Sequence, residues 1–184
     1  MQKILNKSGV LIFLLLHFLF LIAAVIDNKD DLYSIFILVP VIILLVIFYL
    51  NITRTGLSGF EKNDIFLVTG SSLGALITYG LHVELPVSTV LAAGLTGLLS
   101  SFLPYLNRSS QILKVLPAAI YCGAFAGMTG PSIANGYGFI CLAGIFSGII
   151  LVISQNTLNG YGGKLGTIAF GGVALMTLIL FMIT

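Results

Sequence analysis

Few side chains in this sequence could do acid–base chemistry, and most of them lie near the ends of apolar runs. His17 is the only ionisable residue deep within such a run, whereas His82 and Glu84 share a short polar break. A histidine beside a carboxylate can form a proton-sensitive site, although a solvated turn can hold the same residues. No Asp, Glu, Lys or Arg lies at the middle of a run. The sequence therefore argues against a carrier with a central carboxylate and against a membrane hydrolase.

The two cysteines offer little chemistry either. Cys122 and Cys141 lie in separate apolar runs, and neither has a second Cys or a His at metal-ligand spacing. We interpret both as small core residues, since a disulfide would need two helices to bring them together. The pair Tyr121-Cys122 has no neighbouring base and makes a poor nucleophile site. We therefore predict no catalytic residue, no metal and no cofactor, and a protein that is not an enzyme.

Segments that combine glycine with hydroxyl groups or a cation are the better candidates for a functional site. Segment 128–132 places Thr129 beside a Gly and a Pro at a helix break, where freed backbone groups could face a solute. Segment 159–166 is a glycine-rich turn that contains Lys164, but it lacks the spacing of a phosphate-binding loop. We predict a substrate path lined by Gly70, Ser71, Ser72, Gly74, Thr96, Gly123, Gly127, Thr129, Gly162, Lys164 and Gly166.

The same glycines have a structural interpretation. Pairs at a spacing of four occur at Gly70 and Gly74, at Gly123 and Gly127, and at Gly144 and Gly148. Such pairs line one helix face and let a second backbone approach closely, and this packing drives helix association in lipid. Hydroxyl groups in membrane helices commonly bond to their own backbone. Close packing is thus the simpler explanation, and an irregular backbone beside a solute path is the alternative.

The apolar runs that must position these residues occupy nearly the whole chain. Of the 184 residues, 58% are hydrophobic and 8% are charged, too few charges to cover a soluble globule. The runs are continuous and approach the roughly 17–25 residues that cross a bilayer as a helix. We predict an all-α polytopic membrane bundle of about seven transmembrane helices. It forms one integral membrane domain over residues 1–184, with spans at 10–26, 32–50, 65–81, 86–106, 115–130, 137–153 and 165–183.

The distribution of positive charge predicts the orientation. Numbering the runs in order places all but one of the basic residues on one side: Lys3, Lys7, Arg54, Lys62, Arg108, Lys114 and Lys164, with Lys29 opposite. By the positive-inside rule that side is the cytoplasm, which puts the N-terminus inside and the C-terminus outside a cell or inner membrane. The first run also resembles a secretory signal, but it is longer than the apolar part of most signals. A retained first helix is therefore favoured.

The fourth and sixth runs contain similar sequences. Segment 91–99 reads Leu-Ala-Ala-Gly-Leu-Thr-Gly-Leu-Leu, and residues of similar type follow in the same order at 142–150. The apolar run before each copy contains a glycine pair. The repeating unit would be a helical hairpin, TM3-TM4 and then TM5-TM6, and both copies would enter the membrane in the same direction. Small residues and leucine are common in all membrane helices, so short matches also arise from composition alone.

Taken together, these features predict a small permease or channel-like protein that moves or binds a small neutral or weakly polar solute. A chain of this size would act as a homo-oligomer or with a partner membrane subunit in the lipid bilayer. No separate domain remains to bind nucleic acid. The alternative is a structural or accessory subunit of a larger membrane complex, with no transport activity of its own. The sequence does not identify the solute, the direction or the energy source.

Overall fold

The fold is built from helices. The computed structural model describes residues 2–27, 29, 32–51, 62–157 and 162–183, and within these ranges there is no strand. The helices are α1 (Gln2–Asp27), α2 (Leu32–Asn51), α3 (Ile65–Val83), α4 (Thr89–Ser100), α5 (Leu103–Leu106), α6 (Gln111–Gly127), α7 (Tyr137–Ile153) and α8 (Lys164–Ile183), with a 3₁₀ turn at Lys62–Asp64. The all-helical fold class is thus confirmed for the described residues.

The helix ends follow local capping residues and not the limits of the apolar runs. α6 begins at Gln111, one turn before the predicted span, because the Ser110 side chain accepts a hydrogen bond from the Leu113 N–H at 3.4 Å. α4 begins at Thr89 and not at Pro86, since Ser88 is its N-cap. The predicted fourth span is therefore two helices, α4 and the short α5, separated by a turn.

Three helical segments of the described ranges are long and apolar enough to cross a membrane. They are Ile65–Val83, Thr89–Leu106 (α4 with α5) and Lys164–Ile183. This result indicates a membrane protein. α6 and α7 are apolar but shorter, with 17 residues each. The count of seven spans, the orientation and the repeat remain predictions.

The chain divides into two compact units. The first comprises residues 1–57 together with 156–158 and contains α1 and α2, which pack on each other. α2 carries Pro40 in its interior. The second comprises residues 58–155 and 159–184 and contains α3 to α8. A single membrane domain over the whole chain remains a prediction.

α3 forms the centre of the second unit, where it packs mainly against α6 and α7. Gly70 of α3 lies against Leu116 and Gly127 of α6 lies against Thr78, so α3 and α6 run parallel. α7 runs antiparallel to α3. α8 packs on α7 and α6, and α4 packs on α6 and α3.

Candidate functional site

The glycines at a spacing of four in α3 and α6 bring the two backbones into direct contact. Gly123 lies against the carbonyl oxygen of Ser71, and Gly74 lies against the carbonyl oxygen of Ile120. A Cβ added at either glycine would lie closer than 3.0 Å to these backbone atoms. An α-hydrogen of each glycine therefore points at a carbonyl oxygen, the geometry of a weak Cα–H···O contact. Backbone fills the space between α3 and α6.

The α3–α7 interface is equally close. A Cβ on Gly144 would lie 2.7 Å from the Cα of Ser72, and a Cβ on Gly148 would lie 2.6 Å from the Cα of Val68. α8 repeats the arrangement on α7, because Gly172 lies against Ser147. These glycines act as packing contacts between helices, as the structural interpretation of the sequence expects.

Two serines of α3 lie in these interfaces with different hydrogen bonding. The hydroxyl of Ser72 donates to the Cys141 carbonyl oxygen at 3.2 Å and lies 3.4 Å from the sulfur of the same residue. Ser71 is 0% exposed, and its hydroxyl oxygen has no hydrogen-bond partner among the residues that the structure describes. Both Cys122 and Cys141 are free.

A second pair of hydroxyl groups joins α3 to α4. Thr78 donates to the Thr96 hydroxyl oxygen at 3.0 Å, and Thr96 donates to the carbonyl oxygen of Ala92 at 2.9 Å. Both threonine side chains are buried. The pair therefore satisfies itself within the helix interface.

The structure distributes the predicted path residues over three places. Gly70, Ser71, Ser72 and Gly74 lie where α3 packs against α6, which carries Gly123 and Gly127, and against α7, which contacts Ser72. Thr96 meets Thr78, and the remaining four lie near the end of α6 and the start of α8: Thr129, Gly162, Lys164 and Gly166. Lys164 Nζ donates to the Gln155 carbonyl oxygen at 3.1 Å. Residues 159–161 of the predicted glycine-rich turn lie outside the described residues.

Open space lies beside α6 and not along the glycine pairs. A cleft of ≈ 360 Å³ separates the end of α4 from the middle of α6. Its lining residues carry no charge: Gly94, Gly97, Leu98, Ser100, Ser101, Pro117, Ala118 and Tyr121. A volume of this size lies at the lower end of the range for small-molecule sites, about 300–1,000 Å³.

Tyr121 lines this cleft from the side of α6. Its side chain is 37% exposed, and its hydroxyl has no hydrogen-bond partner in the described part of the chain. The ring lies over Gly97, where an added Cβ would meet it at 2.5 Å. The Phe125 ring lies 4.6 Å away on the next turn of α6. Because the site lies in an apolar helix, an unpaired hydroxyl there has few alternatives to a ligand or a neighbour.

A second cleft, of ≈ 340 Å³, separates the end of α6 from α8. Its lining residues are almost all apolar: Phe125, Met128, Thr129, Gly166, Ala169, Phe170 and Val173. Two predicted path residues, Thr129 and Gly166, meet here. The Thr129 hydroxyl donates to the Ala126 carbonyl oxygen at 2.7 Å, so it has no proton left to donate to a ligand.

The polar break after α3 forms an aromatic cluster with the start of α7. The Tyr79 ring makes edge contacts with His82 and Tyr137, each with ring centres 5.2 Å apart. His82 Nδ1 lies 3.1 Å from the Thr78 carbonyl oxygen, which can only accept, so Nδ1 carries the proton. Glu84 accepts a hydrogen bond from Tyr137 at 2.9 Å. The sequence missed this last pair because Tyr137 is far away in the chain.

Sequence reasoning also passed over the α4–α6 cleft. In the sequence, Tyr121 stands out only as the neighbour of Cys122, and Gly94 only as part of the repeated segment 91–99. The available signal was the combination of Pro117 and Tyr121 at a spacing of four on one helix face.

Over the described residues, the chain is all-helical, has three helices that could cross a membrane, and carries an uncharged cleft between α4 and α6. Comparison of the chain with protein-family models, with curated proteins and with solved structures found no match.

Proposed function

We propose that this chain is a multi-pass membrane protein that binds a small neutral or weakly polar solute in the cleft between α4 and α6. The observation that carries the proposal is Tyr121, which lines a cleft of ≈ 360 Å³ and whose hydroxyl has no hydrogen-bond partner among the described residues. The lining residues supply hydroxyl groups but no charge, which favours an uncharged solute over an ion.

The glycine-rich core is a less suitable place for the solute. Between α3 and α6 the glycines lie directly against carbonyl oxygens, and between α3 and α7 they lie against Cα atoms. A solute at that depth would have to separate helix backbones. The predicted path residues of α3 therefore act indirectly, because they hold α6 in position. The solute binds to α6 on the side that faces α4.

The proposal includes seven spans in the orientation that the positive charges favour, with a parallel repeat of two hairpins. Three relations support it. α3 and α6 run parallel, as first helices of two equivalent hairpins must. α7 runs antiparallel to α3. The second helix of each hairpin also packs on the first helix of the other, because α4 packs on α6 and α7 packs on α3.

An accessory membrane subunit is the second candidate function. The observation that favours it is the succession of glycine contacts through α3, α6, α7 and α8, which serves helix association without any need for a solute. In that case the α4–α6 cleft would be filled by lipid or by a partner, and this protein would act with a partner membrane subunit or as a homo-oligomer.

Photolabelling in lipid nanodiscs tests the proposal. The probes are short, uncharged molecules that carry a diazirine, and labelled peptides are mapped by mass spectrometry. We expect saturable labelling of segments 94–101 and 117–121. Replacing Gly94 by Val should abolish it, because a side chain at Gly94 points into open space and fills the cleft without a clash. Gly138 of α7 has equally open surroundings, so Gly138→Val is the matched control.

Labelling that does not saturate, and that spreads evenly over lipid-facing leucines in wild type and Gly94→Val, would contradict a binding site in the cleft. That result would favour the accessory subunit, and the search would turn to its partner.

A further inference from the structure

The hydroxyl groups of the α4–α6 cleft do not offer the same hydrogen-bonding capacity. Ser100 donates its proton to the Gly97 carbonyl oxygen at 2.7 Å, and Ser101 donates its proton to the Leu98 carbonyl oxygen at 2.6 Å. Each serine oxygen retains lone pairs and can still accept. Tyr121 makes no such bond, so its O–H remains a donor. The cleft thus combines one free donor with several acceptors.

The position of that donor is fixed by packing. Gly97 has no side chain, and the Tyr121 ring occupies the space that a Cβ would need. The Phe125 ring also packs on the Tyr121 ring, with ring centres 4.6 Å apart at an angle of 47°. A ring that contacts both a helix backbone and a second ring has few rotamers open to it, so the hydroxyl is positioned before any ligand arrives.

The rest of the cleft is apolar and faces outward. Leu98 is 58% exposed at its edge, and Gly94 leaves open space beside it. Since the lining residues include neither a cation nor a carboxylate, a charged ligand would lose its hydration without gaining a counter-ion. An uncharged molecule with an apolar body needs no counter-ion in this cleft, and its body matches the apolar lining.

On the basis of the proposed function, we infer that the ligand is an uncharged alcohol that enters from the lipid phase. Its hydroxyl oxygen accepts from Tyr121, and its own O–H donates to a serine oxygen of α4. Its apolar body lies along Gly94 and Leu98. A ketone of the same size can only accept, and an alkane can do neither. The cleft should therefore prefer the alcohol to the ketone and the ketone to the alkane.

Three diazirine probes with the same carbon skeleton test this order: a decanol, a decanone and a decane. Concentration dependence of labelling in nanodiscs gives an apparent affinity for each. A neutral hydrogen bond contributes about 0.5–1.5 kcal/mol, so we expect the decanol to bind about threefold to tenfold more tightly than the decanone, and the decanone to exceed the decane by a similar factor. Tyr121→Phe keeps the ring and removes the hydroxyl. It should reduce the affinity for the decanone to that for the decane, lower the affinity for the decanol while its bond to a serine oxygen keeps it above the decane, and leave the decane unchanged.

The inference and the proposed function fail in different ways. Equal affinities for all three probes, unaffected by Tyr121→Phe but abolished by Gly94→Val, would overturn the alcohol and leave a binding cleft. Absence of saturable labelling by every probe would overturn both. Loss of decane labelling in Tyr121→Phe would mean that the hydroxyl holds the cleft open, and would also overturn the assignment of Tyr121 as the donor to the ligand.

Discussion

The Tyr137 hydroxyl donates a hydrogen bond to a Glu84 carboxylate oxygen at 2.9 Å, and so joins the first residue of α7 to the residue that follows α3. At the other end of the same antiparallel pair, Gln155 Nε2 donates to Asp64 Oδ1 at 3.0 Å. Glycine contacts bring the two helices together along their length. Side-chain hydrogen bonds therefore join the two ends of a helix pair whose middle is held together by close backbone packing.

Removing the Tyr137 hydroxyl should loosen only one end of this pair. In Tyr137→Phe we expect faster amide hydrogen exchange in the first turn of α7, with unchanged exchange near Asp64 and Gln155. Exchange followed by mass spectrometry in nanodiscs measures both ends. Tyr105→Phe is the control, because Tyr105 is also exposed but lies at α5. Uniform exchange changes across α7 would mean that the bond supports the whole helix.

A methyl group at the centre of the α3–α6 contact should be severely destabilising. Gly123→Ala would place a Cβ against the Ser71 carbonyl oxygen, a backbone atom that cannot rotate away. We expect a loss of about 3 kcal/mol or more, the upper range for overpacking a core. Reversible unfolding in mixed detergent measures it. Gly94→Ala, which meets nothing within 4 Å, should be neutral or slightly stabilising. Similar losses in both variants would contradict the close contact.

Removing the buried hydroxyl group of Ser71 should raise stability, in contrast to adding a methyl group at Gly123. Because its hydroxyl is buried without a partner in the described part of the chain, Ser71→Ala should stabilise the protein by about 1 kcal/mol. Ser147 is equally buried but donates to the Ala143 carbonyl oxygen at 2.8 Å, so Ser147→Ala should be neutral or destabilising. Unfolding of the two variants under the same conditions compares them. A clear loss of stability in Ser71→Ala would show that the hydroxyl has a partner, such as a buried water.

The bond between Thr78 and Thr96 should be measurable as a coupling between α3 and α4. Polar interhelical bonds in membranes average about 0.6 kcal/mol in double-mutant cycles. We expect a coupling of about that size from Thr78→Val, Thr96→Val and the double variant, measured by unfolding. A coupling near zero would mean that each threonine relies on its own helix backbone.

The predicted orientation is open to a labelling test in intact cells. Leu85→Cys follows α3 and should react with an impermeant maleimide added outside, because the N-terminus is predicted to be cytoplasmic. Ser109→Cys, before α6, should react only after the cells are opened. The native chain is the control, since Cys122 is buried and Cys141 is partly so. The reverse pattern would invert the proposed topology.

The helices were predictable because their signal is local. A continuous apolar run specifies a helix without knowledge of its neighbours, and the predicted span 137–153 coincides with α7. The packing role of the glycines was also predictable from their spacing. The helix ends were harder, since the cap Ser88 lies inside an apolar run and the cap Ser110 lies before one.

The cleft was beyond reach of the sequence for a different reason. It depends on which helix lies beside α6, and neighbouring helices in lipid are selected by shape and not by hydrophobicity. Tyr121 is part of the cleft only because α4 packs with Gly97 against its ring. The Glu84–Tyr137 pair likewise joins residues at a sequence separation of 53, and neither residue alone indicates the other.

The central position of α3 also has a consequence for biosynthesis. Its main partners, α6 and α7, are translated only after α4 and α5 have followed it. Until then the small-residue face of α3, with the Ser71 and Ser72 hydroxyl groups, has no permanent neighbour. A nascent chain arrested after α5 would therefore be incompletely packed. We expect membrane quality control to recognise it at the uncovered small-residue face of α3.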